Sequence, residues 1–172
     1  MALTKIRQTL IEHPNGTDAL TVDASGRVFR SVIPSWRVKV TSAQEVDQNS
    51  SVTNVIWNKT SGAKCHLDGV TLSSDGKITV PVAGLYQASA VMRVDSVANE
   101  YIEMTICHQT PGGTITETGY TISGTPGPTY ENATNSVTVK CDANDRLFVR
   151  FYTADNDWRI QSTSEFSGYL IG

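Results

Sequence analysis

The chain has 172 residues, of which 18% are charged, with a formal net charge of -3 and an isoelectric point near 5.5. That length suits one globular domain with a modest extra segment, large enough to bury a core without disulfide help and too short for two full domains. The acidic balance offers no basic surface for a phosphate backbone, which argues against nucleic acid, and no apolar run approaches the ~20 residues of a membrane span.

Residues 1–14 stand apart from the rest of the chain. Leu3, Ile6, Leu10 and Ile11 fall at helical spacing with Lys5 and Arg7 between them. A run this short is marginal as a free helix, so the segment reads either as an anchoring arm that lies on a surface or as a frayed terminus. It lacks the apolar stretch and cleavage pattern of a signal peptide, which makes synthesis and folding in a cytoplasm the expectation. Residues 15–35 form a connector, in which Leu20 and Val22 alternate, Ala24-Ser25-Gly26 turns the chain and Val28 opens a second short strand. This is the pattern of a small hairpin.

Residues 36–172 form the main domain. Trp36, Val38 and Val40 alternate with Arg37 and Lys39 as a first core strand, and Trp36 contributes a large apolar area if covered. After a polar connection, Val52, Val55, Ile56 and Trp57 make an apolar segment, and His66, Leu67, Val70 and Leu72 lead into the Ser73-Ser74-Asp75-Gly76 turn. The stretch from Ser74 to Val94 organises the rest. Ile78 and Val80 alternate before a Pro81 to Gly84 corner, and Tyr86, Ala88, Ala90, Met92 and Val94 repeat every second residue after it, which commits one face of each strand to a core. Ile102, Met104 and Ile106 mark the next buried strand, and Thr114 to Ile122 is a threonine-rich surface strand followed by the breaker-rich loop Gly124 to Tyr130. Val137, Val139 and Cys141 come next. Beyond the Asp142 to Asp145 turn, Leu147, Val149 and Phe151 share one face with Phe148 and Tyr152 on the other, and Glu165 to Gly172 is a last strand. About ten short strands with frequent turn signals and no core-length helix predict an all-β sandwich of two antiparallel sheets, read here as a jelly roll; alternation alone does not separate this from an immunoglobulin-type sandwich.

Side-chain chemistry points away from an enzyme. Cys65, Cys107 and Cys141 are odd in number and without metal-like spacing, as expected of free thiols in a reducing compartment, and Cys107 and Cys141 read as small buried hydrophobes. The histidines His13, His66 and His108 are scattered, and His66 points to the opposite face from its neighbour Cys65. No phosphate loop, nucleophile elbow or supported carboxylate pair is present in the sequence. Asp142, Asp145, Asp155 and Asp157 gather oxygen ligands in two loops, the composition of a calcium site, although such residues ordinarily stabilise turns by bonding their own backbone; no other cofactor is expected. Tyr130, Tyr152 and Trp158 lie in or beside loops as candidates for binding glycan or protein. Tyr101, Phe148, Tyr152 and Tyr169 fall opposite the core set, and covering them at ~25 cal/mol per Å² favours burial between subunits, with a closed threefold ring leaving no sticky edge.

The segment Val55 to Trp57, the strand Ile78 to Val82 followed by Gly84-x-Tyr86, Asn144-Asp145 ahead of Leu147-x-Val149, and the terminal Phe166-Ser167-Gly168-Tyr169-Leu170 together span about four fifths of the chain. In these elements residues 36–171 resemble the globular head of the complement C1q and tumour necrosis factor superfamily. The resemblance implies a ten-stranded jelly roll that forms a homotrimer, and some members bind calcium near the trimer apex. The signal peptide and collagen stalk usual in animal members are missing from this sequence, and GTDALTVDASGRV is instead similar to the connecting element ahead of such domains in tailed-bacteriophage structural proteins. That likeness implies a virion protein made in the host cytoplasm. The segment before Trp36 is too short for a long shaft, so capsid decoration or cementing is expected, with the arm gripping the major capsid protein or another virion protein. The alternatives are a tail-fibre tip or adhesin that binds a host receptor or glycan, and a secreted ligand or lectin of the same fold.

Overall fold

The computed structural model describes residues 10–12, 18–22, 25–26, 28–30, 33–45, 52–62, 64–95, 101–124, 131–153 and 159–171. The chain divides into two compact units, Met1–Ile33 and Pro34–Gly172. No helix occurs among the described residues.

The first unit is one antiparallel sheet in the order β1 (Leu10–Glu12), β2 (Asp18–Val22), β3 (Val28–Arg30). β2 and β3 make the expected hairpin, pairing Leu20 with Arg30 and Val22 with Val28, and Gly26 supplies a φ of +82° in the turn. Such a conformation is open to glycine and costly for most other residues. Leu10 and Ile11, placed by their spacing on a helix, instead lie in β1 opposite Thr21 and Leu20. So short a run cannot overcome helix nucleation, whereas the free edge of a hairpin offers it ready backbone partners. Leu3 and Ile6 lie outside the described residues.

The second unit opens with β4 (Ser35–Lys39), β5 (Gln44–Glu45), β6 (Thr53–Asn54), β7 (His66–Asp68), β8 (Thr71–Leu72) and β9 (Ile78–Thr79). It continues with β10 (Gly84–Asp95), β11 (Tyr101–Gln109), β12 (Ile115–Gly124), β13 (Glu131–Cys141), β14 (Arg146–Thr153), β15 (Arg159–Ile160) and β16 (Glu165–Leu170). These exceed the strands read from alternation because β5, β6, β8, β9 and β15 are two-residue pieces. One antiparallel sheet runs β7-β4-β16-β10-β13, with β15 beside the far end of β10 and β5 beside β15. The other runs β8-β9-β14-β11-β12, with β6 also on β14. The Pro81 to Gly84 corner carries the chain from β9 in the second sheet to β10 in the first, and the later strands cross between sheets again at β10 to β11, β12 to β13, β13 to β14 and β14 to β15. An all-β sandwich with this order is compatible with a jelly roll.

The inner face of β10 is Tyr86, Ala88, Ala90, Met92 and Val94, all fully buried. Against it pack Ile102, Met104 and Ile106 of β11 and Leu147, Val149 and Phe151 of β14, one contiguous core. Opposite Arg93, the Ser164 hydroxyl accepts from the Arg93 amide at 3.0 Å and donates to its carbonyl at 3.2 Å, bridging the break between β15 and β16. β12 carries one extra residue, Thr118, where its register against β11 shifts, and the Thr118 hydroxyl donates to the Ile106 carbonyl at 2.8 Å. That is a β-bulge held by its own side chain.

The largest side chains are accommodated by the absence of one. Across the first sheet Trp36, Gly168 and Ala88 lie in register, and Phe166 touches both tryptophans, its ring 5.5 Å from Trp36 and 5.8 Å from Trp57. A Cβ on Gly168 would stand 2.2 Å from the Trp36 ring and 2.6 Å from the Gln87 carbonyl oxygen. The glycine in the terminal Phe-Ser-Gly run is therefore the seat of the indole. Replacing it by alanine (Gly168→Ala) is expected to destabilise the fold by about 1–3 kcal/mol through overpacking, read in urea as a lower midpoint at unchanged slope; an unaltered midpoint would show that the ring has room to move.

Candidate functional site

The outward faces of the two sheets carry most of the candidate residues. On the second sheet Tyr101, Glu103, Thr105 and Cys107 of β11 alternate with the core set and lie beside Phe148, Arg150 and Tyr152 of β14 and Tyr120 and Ile122 of β12. The Tyr101 and Tyr152 rings are 6.3 Å apart, and Val52, Tyr120 and Ile122 are exposed, Ile122 at 55%. The Tyr120 hydroxyl is pushed up to about 12, chiefly by its hydrogen bond to Glu103, whose charge opposes a phenolate.

Phe148 does not reach this surface. It is 0% exposed, with the Lys77 ammonium 5.2 Å and the Arg150 guanidinium 5.4 Å from its ring. Lys77 is held over the ring by Asp75 at 2.8 Å, in a turn that Ser73 closes by donating to the Lys77 carbonyl at 3.1 Å. The long stems of two basic side chains cover an outward aromatic as a second subunit was expected to. Phe148 therefore drops out of the candidate subunit surface, while Tyr101 and Tyr152 remain.

Tyr169 stands on the other side of the sandwich. It is 52% exposed on the outward face of the first sheet, near Leu85 and Ile171, which are also exposed. Beside it a groove of about 220 Å³, floored by Trp36 and Gly168 and edged by Tyr169, runs between Ser35, Arg37, Gln87 and Ser167. Further along the same face Glu165 is held by Arg37 at 2.9 Å and Lys39 at 3.3 Å. Partial burial works against its ionisation, but hydrogen bonds and charge from the two cations outweigh that and keep the carboxyl below its ordinary value.

The calcium candidates do not build an oxygen cage among the described residues. Asp142 is exposed, whereas Asp145 is 3% exposed, accepts the Asp142 amide at 2.8 Å and lies 2.6 Å from His108 Nε2. It shapes a turn in which Asn144 takes a φ of +72°. Asp155, Asp157, Tyr130 and Trp158 lie outside the described residues.

The turn brings together residues that the sequence holds far apart. A ring nitrogen of His108, Cys141 Sγ and an Asp145 carboxylate oxygen all lie within 4.8 Å of one another at one end of the sandwich. A signal was present: His108 extends the Ile102, Met104, Ile106 face by one step, Cys141 extends Val137 and Val139, and Asp145 precedes Leu147, so each is a polar residue in core phase. The Cys141 thiol is pushed up to about 12 by burial and by Asp145 and Asp142, and burial lifts Cys107 to about 11. Neither is poised as a nucleophile. Cys65 is buried and His66 exposed, as their opposite directions require.

No family model matches the chain, and no curated protein matches it at a significant level.

The Glu165 arrangement has a definite pH dependence. A carboxyl with a depressed folded-state pKa contributes stability that is fully present above its unfolded value and is lost as pH falls through the folded one. Acid denaturation of Glu165→Gln is therefore expected to show a flatter loss of stability below the ordinary glutamate range than the unaltered chain; superimposable profiles would show that Arg37 and Lys39 hold the carboxylate no better than water does.

Proposed function

We propose that the chain is a non-enzymatic structural protein of a bacteriophage virion surface, a ten-stranded C1q/TNF-type jelly roll that assembles as a homotrimer and decorates or cements the capsid. The observation that carries the assembly is the placement of the outward apolar and aromatic side chains. Tyr101, Tyr120, Ile122 and Tyr152 lie on the outward face of the second sheet, and Tyr169, Leu85 and Ile171 on that of the first. An isologous dimer needs one self-complementary patch, whereas a cyclic ring joins two different patches, one from each neighbour. Two separate apolar patches on one chain suit the ring. The strand order β7-β4-β16-β10-β13 facing β8-β9-β14-β11-β12 supports the family likeness carried by the Gly84-x-Tyr86 and Phe166-Ser167-Gly168 elements.

Attachment falls to the first unit. Residues Met1–Ile33 form a compact unit of their own, whose described part is a three-stranded sheet. That unit is the element assigned to grip the major capsid protein or another virion protein, with a tail-fibre tip as the second reading. Capsid decoration, a host-receptor role and a secreted ligand differ in what the chain binds, and the first predicts binding to particles.

Sedimentation equilibrium at micromolar concentration is expected to give the mass of three chains, and Tyr169→Asp or Ile122→Asp to shift it toward one; a wild-type monomer would sink the assembly. Removing residues 1–33 is expected to leave a folded trimer that no longer binds capsids stripped of this protein. Undiminished binding would move the grip to the jelly roll.

A further inference from the structure

One end of the sandwich holds a group of chemistry-bearing side chains that the proposed assembly does not use. His108 ends the inner face of β11 in the second sheet, Cys141 ends the inner face of β13 in the first, and Asp145 lies in the turn that joins β13 to β14. We propose that His108, Cys141 and Asp145 form a binding site for a zinc-class divalent ion, bridging the two sheets.

The donor set selects the ion. One thiolate, one imidazole and one carboxylate are the borderline ligands of four-coordinate zinc, while calcium requires six to eight oxygens, which the described residues do not converge here. The spacing fits after a small adjustment. Ligand atoms around zinc stand about 3–4 Å from one another given its ordinary bond lengths, and here all three lie within 4.8 Å. The ion would part the 2.6 Å contact between His108 and Asp145 and draw the thiol inward. His108 keeps its side chain 15% exposed, leaving a route for entry and a fourth position for water.

The frame is fixed where the ligands need it. The Val80 amide donates to the Asp145 carbonyl at 2.9 Å and the Asn144 amide to the Val80 carbonyl at 2.8 Å, so the turn is pinned to the strand leading into the Pro81 corner. His108 sits directly opposite Leu147 in the β11–β14 ladder. The surroundings also have the right sign. The carboxylates of Asp145 and Asp142 that oppose a free thiolate at Cys141 are the field that attracts a cation, and a bound ion reverses the penalty on the thiolate by its own charge. The thiol proton is released to solvent on binding, so affinity rises with pH.

Cobalt(II) added to the reduced, chelator-stripped full chain reports the site directly, through the charge-transfer band of a cobalt-bound thiolate. The band is expected in the unaltered protein and in the Cys65→Ser/Cys107→Ser double variant, to be bleached by zinc, and to vanish in Cys141→Ser. His108→Gln and Asp145→Asn each remove a proposed ligand and are expected to weaken cobalt binding by at least the roughly 100-fold that loss of an outer-shell partner can cost a metal site. A folded wild-type chain with no thiolate band, or a band that survives Cys141→Ser, overturns the proposal. Because Cys141 packs in the core, X-ray absorption of the zinc-loaded wild type gives a reading that needs no variant. One sulfur among nitrogen and oxygen neighbours supports the site, and a shell of nitrogen and oxygen alone overturns it.

Discussion

The volume balance on the inner face of the first sheet is the constraint on which the rest of the main unit depends. β10 is paired on both sides, with β13 along one edge and β16 and β15 along the other. Its inner side chains are small at Ala88 and Ala90, and Gly168 beside Ala88 has none, so the Trp36 indole can lie flat over the row and Phe166 can fill the space between Trp36 and Trp57. Close packing leaves no slack for an added methyl at that point and no partner for the rings if the row were emptied. Three elements far apart in sequence are thereby locked together: the strand after residue 34, the apolar segment around Trp57 and the last strand. A second close approach operates at the sheet edges, where a Cβ on Gly119 would stand 2.2 Å from Val137, so β12 and β13 meet only because one of them lacks a side chain.

What the sandwich leaves outside is governed by how each outward aromatic is covered. Phe148 is roofed by Lys77 and Arg150, basic residues whose stems are apolar; the Lys77 ammonium also pairs with Asp75, and the Arg150 guanidinium faces the ring. Asp75 contributes twice to this roof. It pairs with Lys77, and the Lys77 and Ser73 hydrogen bonds hold its carboxyl below the ordinary value. Gly76 belongs to the same device, since a Cβ there would stand 2.0 Å from the Val55 carbonyl oxygen, and the turn can settle onto that backbone only as glycine. Tyr101, Tyr120, Ile122 and Tyr169 stay exposed instead, and they are the residues on which the proposed threefold assembly rests.

The end of the sandwich near the Pro81 corner obeys a different logic. Polar groups are normally kept out of core phase because burying them unpaired is expensive. His108, Cys141 and Asp145 occupy such positions, and the Tyr86 hydroxyl nearby is satisfied by the Val82 carbonyl at 3.0 Å while burial, with Cys141 adding to it, pushes it up to about 12. Mutual hydrogen bonding covers part of the cost for His108 and Asp145 in the metal-free chain. A bound cation would satisfy all three at once, which ties the local chemistry to the joining of the two sheets.

By itself the sequence determined the all-β class, the hairpin around Gly26, the inner faces of β4, β10, β11 and β14, and the burial of Cys107 and Cys141. These are consequences of period-two alternation and turn chemistry, which act over a few residues and can be read along the chain. Tertiary structure alone decided which strands became neighbours, that Leu10 and Ile11 joined a sheet, that Phe148 is roofed by its own chain, and that His108 meets Cys141 and Asp145. Each of these depends on residues distant in sequence arriving at one place, and alternation states which way a side chain points without stating what stands opposite it.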